Sequence, residues 1–355
     1  MRLLVVALLA LIAAPLHAAS YTITDLGTLG GTTSDSYGIN ASGKVSGAAN
    51  TIGDAQLHAF RYDGSMHDLG TLGGQISYGF GINTNGQVTG EADTIGNVAR
   101  HAFLYDGTMH DLGTLGGRDS YGRGINASGQ VTGFAYTTGN AARHAFLYDG
   151  TMHDLGTLGA RSESFGFGIN TSGEVTGYNE SQITGTHAFL YDGTMHDLGT
   201  LGGRASYGYS INASGQVTGE ADIAGDSETH AFLYDGTMHD LGTLGGNLAT
   251  GYSINDSGQV TGFYRLGGGS TEYHAFVYDS VHGMVDLNSL INPSSGWVVS
   301  VGLAINNSGQ IAGKGFIGGQ EHAFLLTPVV PEPSTFVLAT LGMIGMVAMR
   351  LRRRR

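Results

Sequence analysis

The chain of 355 residues contains no cysteine, one tryptophan and five prolines. Without cysteine, it cannot form a disulfide scaffold, a thiolate metal site or a cysteine nucleophile. Basic residues are also few, 16 against 29 acidic ones, and six of the 16 are Arg2 and the five arginines of the C-terminal end. Without those six and without Glu332, the body has 10 basic and 28 acidic residues, a balance that nucleic-acid phosphates repel. We therefore expect a body that stays soluble outside the cell and binds no nucleic acid.

A 17-residue phrase, HAFLYDGTMHDLGTLGG, recurs along the chain with few changes. Its first three residues, His-Ala-Phe, begin at His58, His101, His144, His187, His230, His274 and His322. The first four intervals are 43 residues each, and the last two are 44 and 48. Units this short cannot bury a core alone, so the copies are expected to stack into one structure.

One repeat, residues 78–113, is predicted to form four short strands. They are expected at residues 78–83, 87–92, 101–105 and 108–113. Asp106-Gly107 is a two-residue hairpin signal, and such a turn places Phe103 opposite His110. Four antiparallel strands in about 43 residues match one blade of a β-propeller.

The first strand of each copy is expected to line a central channel. The residue before each Ile-Asn is small in every copy: Gly38, Gly81, Gly124, Gly168, Ser210, Ser253 and Ala304. Strands that crowd around one axis leave room only for small side chains.

The two ends of the repeat region complete each other. The last copy stops at Leu326 without a fourth strand, and residues 21–27 read as a fourth strand without a repeat. The sequence therefore predicts an all-β fold, a seven-bladed β-propeller of four-stranded antiparallel blades over residues 20–328, closed by the N-terminal strand. A β-helix is the alternative, although its ends need caps rather than complementary halves.

The N-terminal end is typical of a secretory signal peptide. Arg2 is followed by an apolar stretch at residues 3–14 and by the small residues Ala18 and Ala19. We predict a signal peptide over residues 1–19, with an uncleaved anchor as the alternative.

The C-terminal end has three parts in order. Pro331, Glu332 and Pro333 precede a mostly apolar stretch at residues 336–349, and five arginines lie among the last six residues. Residues 329–355 closely resemble the PEP-CTERM sorting signal of exopolysaccharide-producing Gram-negative bacteria. The resemblance implies recognition by an exosortase, removal of the tail and delivery to the cell surface or extracellular matrix after transient membrane anchoring. A plain single-span anchor is the alternative, and a short apolar helix is expected at each terminus.

The repeat phrase is similar to the HAF repeat of probable extracellular bacterial proteins, over nearly all of residues 21–328. That resemblance implies a fold and an extracellular location, and no activity comes with it.

The histidines of the repeat are interpreted as structural. Each one is expected to hydrogen-bond a turn or the aspartate of Asp-Leu-Gly. A zinc site is the alternative, but it needs three or four ligands at about 2 Å from the metal. Equivalent histidines on adjacent blades should be about 10 Å apart or more, since each lies two strand spacings outside the channel wall. We predict no metal, no cofactor and no catalytic residue.

Three hypotheses for function remain open. The preferred one is a monomeric, non-catalytic binding or structural module of the envelope or exopolysaccharide matrix, with envelope polysaccharide or protein as partner. An array of sugar sites would need exposed aromatic residues on one face, and Trp297 is the only tryptophan. The second is an extracellular glycan hydrolase or lyase, which needs a cluster of carboxylates at the channel mouth. The third is metal storage or sensing through the histidines. Arg123 stands where six copies have Tyr, Phe or Leu, and it is expected at the channel mouth or at a blade edge.

Overall fold

The computed structural model describes residues 20–160, 162–183 and 185–329. Over these residues the chain is all-β, with 28 strands and no helix longer than three residues. No helix in these ranges is long and apolar enough to cross a membrane. The predicted signal peptide, the sorting tail and the apolar helix expected at each terminus lie outside the described residues.

Each repeat contributes four strands with similar bounds in every copy. The first strands are β2 (Gly30–Ile39), β6 (Gly73–Ile82), β10 (Gly116–Ile125), β14 (Ser162–Ile169), β18 (Gly202–Ile211), β22 (Ala249–Ile254) and β26 (Trp297–Ile305). The second strands are β3 (Val45–Thr51), β7 (Val88–Thr94), β11 (Val131–Thr137), β15 (Val175–Ser181), β19 (Val217–Ile223), β23 (Val260–Arg265) and β27 (Ile311–Ile317). The third strands are β4 (Leu57–Tyr62), β8 (Arg100–Tyr105), β12 (Arg143–Tyr148), β16 (Gly185–Tyr191), β20 (Thr229–Tyr234), β24 (Tyr273–Asp279) and β28 (Gln320–Pro328). The fourth strands are β1 (Tyr21–Asp25), β5 (Met66–Asp68), β9 (Met109–Asp111), β13 (Met152–Asp154), β17 (Met195–Asp197), β21 (Met238–Gly242) and β25 (Gly283–Asp286).

Short 3-10 turns connect some of these strands. They lie at Ile52–Asp54, Ile95–Asn97, Thr138–Asn140, Leu287–Ser289 and Pro293–Ser295.

Within a copy, consecutive strands pair antiparallel, as β6, β7, β8 and β9 do. The last copy takes its fourth strand from the other end of the chain. Strand β1 pairs antiparallel with β28, from Tyr21 opposite Pro328 to Asp25 opposite Phe324. The first and last described strands thus belong to one sheet, in which β26 and β1 are the two edges.

The predicted two-residue turn at Asp106-Gly107 is wrong. The structure pairs Tyr105 with Met109, so the loop has three residues, and Gly107 adopts a φ of 130° that suits glycine. The register therefore moves by one residue, and Phe103 lies opposite Asp111 instead of His110. Because side chains alternate along a strand, this shift moves His110 to the other face of the sheet.

The core of each sheet is a contact between a phenylalanine and a glycine. All seven phenylalanines of His-Ala-Phe are fully buried: Phe60, Phe103, Phe146, Phe189, Phe232, Phe276 and Phe324. The ring of Phe103 lies over Gly90 of β7, where a Cβ atom would be 3.0 Å from the ring and 1.7 Å from the carbonyl oxygen of Tyr78. Only glycine fits at that point, and the Val-Thr-Gly pattern of β7 follows from this contact.

The first strands surround a central cavity. The small residues before Ile-Asn line one part of it, with a volume of about 200 Å³. The adjoining part, about 270 Å³, is lined by the seven Ile-Asn pairs themselves.

The asparagines of those pairs form a closed circle of hydrogen bonds, the asparagine belt. Each Nδ2 donates to the backbone oxygen of the next asparagine at 2.9–3.3 Å, and the last bond returns to the first copy. The order is Asn40, Asn83, Asn126, Asn170, Asn212, Asn255, Asn306 and again Asn40. Each Oδ1 also accepts two backbone N–H groups of its own turn, so one side chain holds the turn and the next copy together.

We expect Asn126→Asp to weaken the belt. Asn126 is buried, and the substitution replaces the Nδ2 donor with an oxygen that faces the carbonyl oxygen of Asn170. Losing a buried hydrogen bond and leaving its acceptor unpaired should lower the free energy of unfolding by about 1–3 kcal/mol in urea titrations. The same change at the exposed Asn85 should cost less than about 0.5 kcal/mol. Equal effects at the two positions would contradict a structural role for the belt.

Candidate binding face around the channel

The seven histidines of His-Ala-Phe each contact an aspartate of a fourth strand. The distance from Nδ1 to a carboxylate oxygen is 2.8–3.1 Å in every copy. The pairs are His58–Asp68, His101–Asp111, His144–Asp154, His187–Asp197, His230–Asp240, His274–Asp286 and His322–Asp25. All seven aspartates belong to Asp-Leu-Gly in its full or partial form, and in the last pair Asp25 comes from the N-terminal strand. These contacts hold the third strand to the fourth.

The histidines of Met-His-Asp have other partners. His110 contacts Asp106 of its own hairpin loop, with 2.9 Å from Nε2 to Oδ1, and this hydrogen bond lowers the pKa of Asp106. In the five copies that contain Met-His-Asp, the two kinds of histidine lie on opposite faces of the sheet, as His101 and His110 do. Within the described ranges, no group of three or more His, Asp or Glu side chains is arranged to hold a metal ion. The sorting residues Pro331, Glu332 and Pro333 lie outside the described residues.

Aromatic side chains gather around one mouth of the central channel. We call ten of them the aromatic arc, because they form an unbroken series of ring contacts with centroids 4.7–5.7 Å apart. The arc consists of Tyr121, Phe134, Phe165, Tyr178, Phe167, Tyr207, Tyr209, Tyr252, Phe263 and Tyr273. Phe167, Tyr209 and Tyr252 also line the channel cavity. Apart from the buried Phe165, the arc's members keep part of their surface exposed.

Alternation along the first strand produces this arrangement. The small residues of that strand point into the crowded contact between copies, and the residues between them point to the mouth. In β18, for example, Tyr207 and Tyr209 flank the buried Gly208, and Tyr209 is the extra residue of a bulge between Gly208 and Ser210. Repeating this pattern from copy to copy brings the rings into contact.

Arg123 occupies one of these mouth positions. Its guanidinium lies 4.0 Å from the centroid of Phe80 and 5.3 Å from that of Phe134. It also pairs with Glu91, at 2.7 Å from NH1 to Oε2, and Arg100 reaches the other oxygen of Glu91 at 3.1 Å. The Arg123 cation is therefore held between aromatic rings and a carboxylate of the preceding copy.

Glu220 is a mouth carboxyl without such a cation. It accepts hydrogen bonds from the hydroxyl groups of Tyr209, at 3.1 Å, and of Thr250. Burial raises the pKa of Glu220, and it also raises the pKa of the neighbouring Tyr252 to about 12, with a further contribution from the charge of Glu220. A carboxyl group therefore lies beside the aromatic arc, and burial there makes its ionised form unfavourable.

A groove of about 660 Å³ continues the arc between β24 and β26. Tyr273, Val298 and Phe316 expose 38–46% of their surface there, and Lys314 and Glu321 add charge. This volume lies within the range of small-molecule sites, which are mostly apolar with a few polar groups.

A bulge in β26 accounts for this opening. In five copies a serine of the first strand accepts from the preceding copy, as Ser77 Oγ does from the Ala59 N–H at 2.8 Å, and β22 has Ala249 at that position. In β26, Val299 has the register position of Ser77, and Ser300 is the extra residue of a bulge. A valine offers no hydroxyl for that hydrogen bond, and Ser300 lines the groove instead.

Sequence reasoning did not predict the arc. The prediction considered only tryptophan as a sugar-binding aromatic residue. Trp297 is buried in the core, where its ring contacts Phe324. The available signal was the recurrence of Tyr and Phe two residues before Ile, as at Phe80, Phe167 and Tyr209.

The tail matches a known sorting signal. Residues 329–354 match the PEP-CTERM protein-sorting motif, so the predicted motif is confirmed. The motif implies export, sorting to the cell surface and processing of the tail by an exosortase. No curated protein matches the chain.

Several solved structures are similar to the chain. The β-propeller domain of the Trilobed protease from Pyrococcus furiosus, which has an open velcro topology, gives a TM-score of 0.51 at 9% identity, over 84% of this chain and 99% of that one. A lectin of Aleuria aurantia in complex with Fucα1-6GlcNAc gives 0.40 at 11% identity, over 75% of this chain and 94% of that one. The SapL1 lectin in complex with α-methyl fucoside gives 0.36 at 10% identity, over 87% and 99%. At these identities the likeness concerns the fold alone, and the chain is an all-β protein that resembles β-propellers.

We expect Glu220→Gln to stabilise the protein at neutral pH. Glutamine keeps an acceptor for the Tyr209 hydroxyl and carries no charge to bury. Because the pKa of Glu220 is raised on folding, the wild type loses stability as the pH rises through that pKa. The gain in thermal midpoint should therefore be present at about pH 7 to 8 and fall towards zero at acid pH, where wild-type Glu220 is also neutral. Glu272→Gln, at an exposed position, serves as the control, and a destabilised Glu220→Gln at neutral pH would contradict this account.

Proposed function

We propose that this chain is an exported, surface- or matrix-sorted binding module that holds polysaccharide along the aromatic arc and the adjoining groove. The sorting motif supports the location, since it directs the protein to the cell surface. The observation that carries the binding role is the unbroken contact of ten aromatic rings around one mouth, nine of them partly exposed. Contiguous aromatic surface left open to solvent is costly unless a ligand covers it.

Saccharide chains suit such a surface. A sugar ring has an apolar C–H face that packs on an aromatic ring and hydroxyl groups that need hydrogen-bond partners. Tyrosine supplies a ring and a hydroxyl in one side chain, and six of the ten arc residues are tyrosines. The groove adds Lys314, Glu321 and Ser300 as polar partners beside Tyr273 and Phe316.

We further infer that the fold is a seven-bladed propeller closed by its N-terminal strand, and that it belongs with the HAF repeats. The asparagine belt supports this, since its seventh bond returns from Asn306 to Asn40. The pairing of β1 with β28 and the His322–Asp25 contact support the closure. A closed ring would keep the members of the arc at fixed distances, which favours binding to an extended and flexible chain.

A hydrolase or lyase is the second candidate, and one observation favours it. The raised pKa of Glu220 is a property of general acids. Glycoside hydrolysis ordinarily needs a second carboxyl, and the equivalent Glu91 is neutralised by Arg100 and Arg123. We therefore propose a non-catalytic role, and release of reducing or unsaturated ends from a bound polysaccharide would contradict it.

Closure of the ring can be tested with Thr24→Pro. Leu26 N–H donates to Ala323 O at 3.0 Å, and since the antiparallel ladder alternates, the N–H of Thr24 also faces β28. Proline removes that donor, so we expect a loss of about 1–3 kcal/mol in unfolding experiments together with faster proteolysis at the N-terminal end. Thr24→Ala keeps the N–H at an exposed position and should change stability by less than about 0.5 kcal/mol. If both variants are as stable as the wild type, the strand does not close the ring.

Binding can be tested with Tyr273→Ala combined with Phe316→Ala. Both side chains are exposed in the groove, so their removal should leave the fold intact. We expect affinity for envelope polysaccharide, measured by calorimetry on the purified exported protein, to fall about tenfold or more. Ile95→Ala, an exposed apolar residue outside the groove, should leave the affinity unchanged. If the wild type binds no polysaccharide of the producing cell, the proposed function is wrong.

A further inference from the structure

Two copies of the repeat share the segment Val-Thr-Gly-Glu-Ala-Asp. It occupies residues 88–93 in β7 and residues 217–222 in β19. Glu91 lies opposite Tyr78, and Glu220 lies opposite Tyr207 in the same register. The two glutamates therefore have equivalent positions at the channel mouth.

In the first of these copies, two guanidinium groups neutralise the acidic pair. Arg100 contacts Glu91 and Asp93, at 3.1 and 2.8 Å. Arg123, from the next copy, contacts Glu91 and lies over Phe80. A cation held by a carboxylate and by the face of an aromatic ring gains from both contacts. The Glu91 site therefore shows what this arrangement of side chains can bind: a cation that lies between a carboxylate and the face of an aromatic ring.

In the second copy, both arginines are absent. Thr229 stands at the position of Arg100, directly before His-Ala-Phe. Tyr252 stands at the position of Arg123, two residues before the isoleucine of Ile-Asn. Thr229 donates to Asp222 at 2.8 Å, and Glu220 accepts only from hydroxyl groups in the contacts that the structure gives for it. The same two acidic side chains are therefore present with neutral partners.

The second copy is also more open. Glu91 is buried, whereas Glu220 remains partly exposed. Tyr209, at the position of Phe80, and Tyr252 contact each other at 5.4 Å and line the channel cavity. Both tyrosines keep part of their surface exposed beside the carboxyl group, and Tyr252 stands where the first copy has Arg123.

We propose that Glu220, with Tyr209 and Tyr252, binds a protonated amino group of the glycan, so that the aromatic arc selects a polysaccharide with unsubstituted amino sugars. This inference rests on the proposed function and names its ligand class. The charge of the body agrees with it, since 28 acidic residues against 10 basic ones attract a cationic polymer and repel one rich in uronic acids.

Matched oligosaccharides provide the test. The probes are a glucosamine hexamer and an N-acetylglucosamine hexamer of the same linkage, which differ only in the charge and the acetyl group at nitrogen. Calorimetry on the exported protein at about pH 6, where such an amine is protonated, should give at least about tenfold tighter binding of the glucosamine hexamer. Equal affinities, or tighter binding of the acetylated hexamer, would overturn the inference and leave the proposed function standing. Binding to neither hexamer nor to any cell polysaccharide would overturn both.

Two substitutions assign the preference to Glu220. Glu220→Gln should bring the ratio of the two affinities close to one, mainly by weakening binding of the glucosamine hexamer. Asp256→Asn removes the same charge at an exposed turn beside the asparagine belt, away from the aromatic arc, and should keep the ratio. If both variants lose the preference equally, the overall charge and not this site selects the ligand, and the inference fails.

A reciprocal pair of substitutions exchanges the residues that distinguish the Glu220 site from the Glu91 site. Tyr252→Arg rebuilds in the second copy the cation that Arg123 supplies in the first, and it should abolish the preference by occupying Glu220. Arg123→Tyr combined with Arg100→Thr removes both cations beside Glu91, and the double substitution should increase the preference by opening a second position. A Tyr252→Arg protein that is folded, by its thermal midpoint, and still prefers the glucosamine hexamer would overturn the inference.

Discussion

The asparagine belt is the constraint on which the rest of the structure depends. Each belt asparagine holds its own turn through Oδ1 and the backbone of the next copy through Nδ2. Because all seven are buried and bonded in the same way, the first strands lie at nearly constant distances from one another around the cavity. The small residues beside them follow, since strands this close leave no room for larger side chains, as at Gly124. The mouth positions follow in turn, because they alternate with those small residues along the same strands.

The residues that recur in every copy and the residues that differ between copies have separate roles. Phenylalanine, glycine, histidine and aspartate recur because each makes the same contact in its sheet, such as Phe103 over Gly90 and His101 with Asp111. The mouth positions change from copy to copy, and those changes create the arc, the Arg123–Glu91 pair and the unneutralised Glu220. Because every copy keeps the residues that hold its sheet together, a few other positions can vary without loss of the fold.

The sequence predicted the local pattern well and the contacts between copies poorly. Strand order, the small residues at the axis and a histidine partner in Asp-Leu-Gly are all properties of one repeat. The hairpin loop was missed because Asp-Gly occurs in both two-residue and three-residue loops, and a one-residue difference moves His110 to the other face. The belt was missed because Asn83 is already explained by its own turn, while its second bond reaches a residue 43 positions away. The arc was missed for the same reason, since its rings meet only after the copies are placed side by side.

The two ends of the described chain lie together at the outer edge of one sheet. Val329 N–H donates to Ser20 O at 2.7 Å, next to β1, the outer edge strand of its sheet. The mouth of the channel is formed by the first strands, at the opposite edge of every sheet. A tether attached at either end would therefore hold the molecule at the outer edge of one sheet, and the channel mouth would stay clear of the attachment. Cutting such a tether would change where the molecule resides without altering the surface it offers to a ligand.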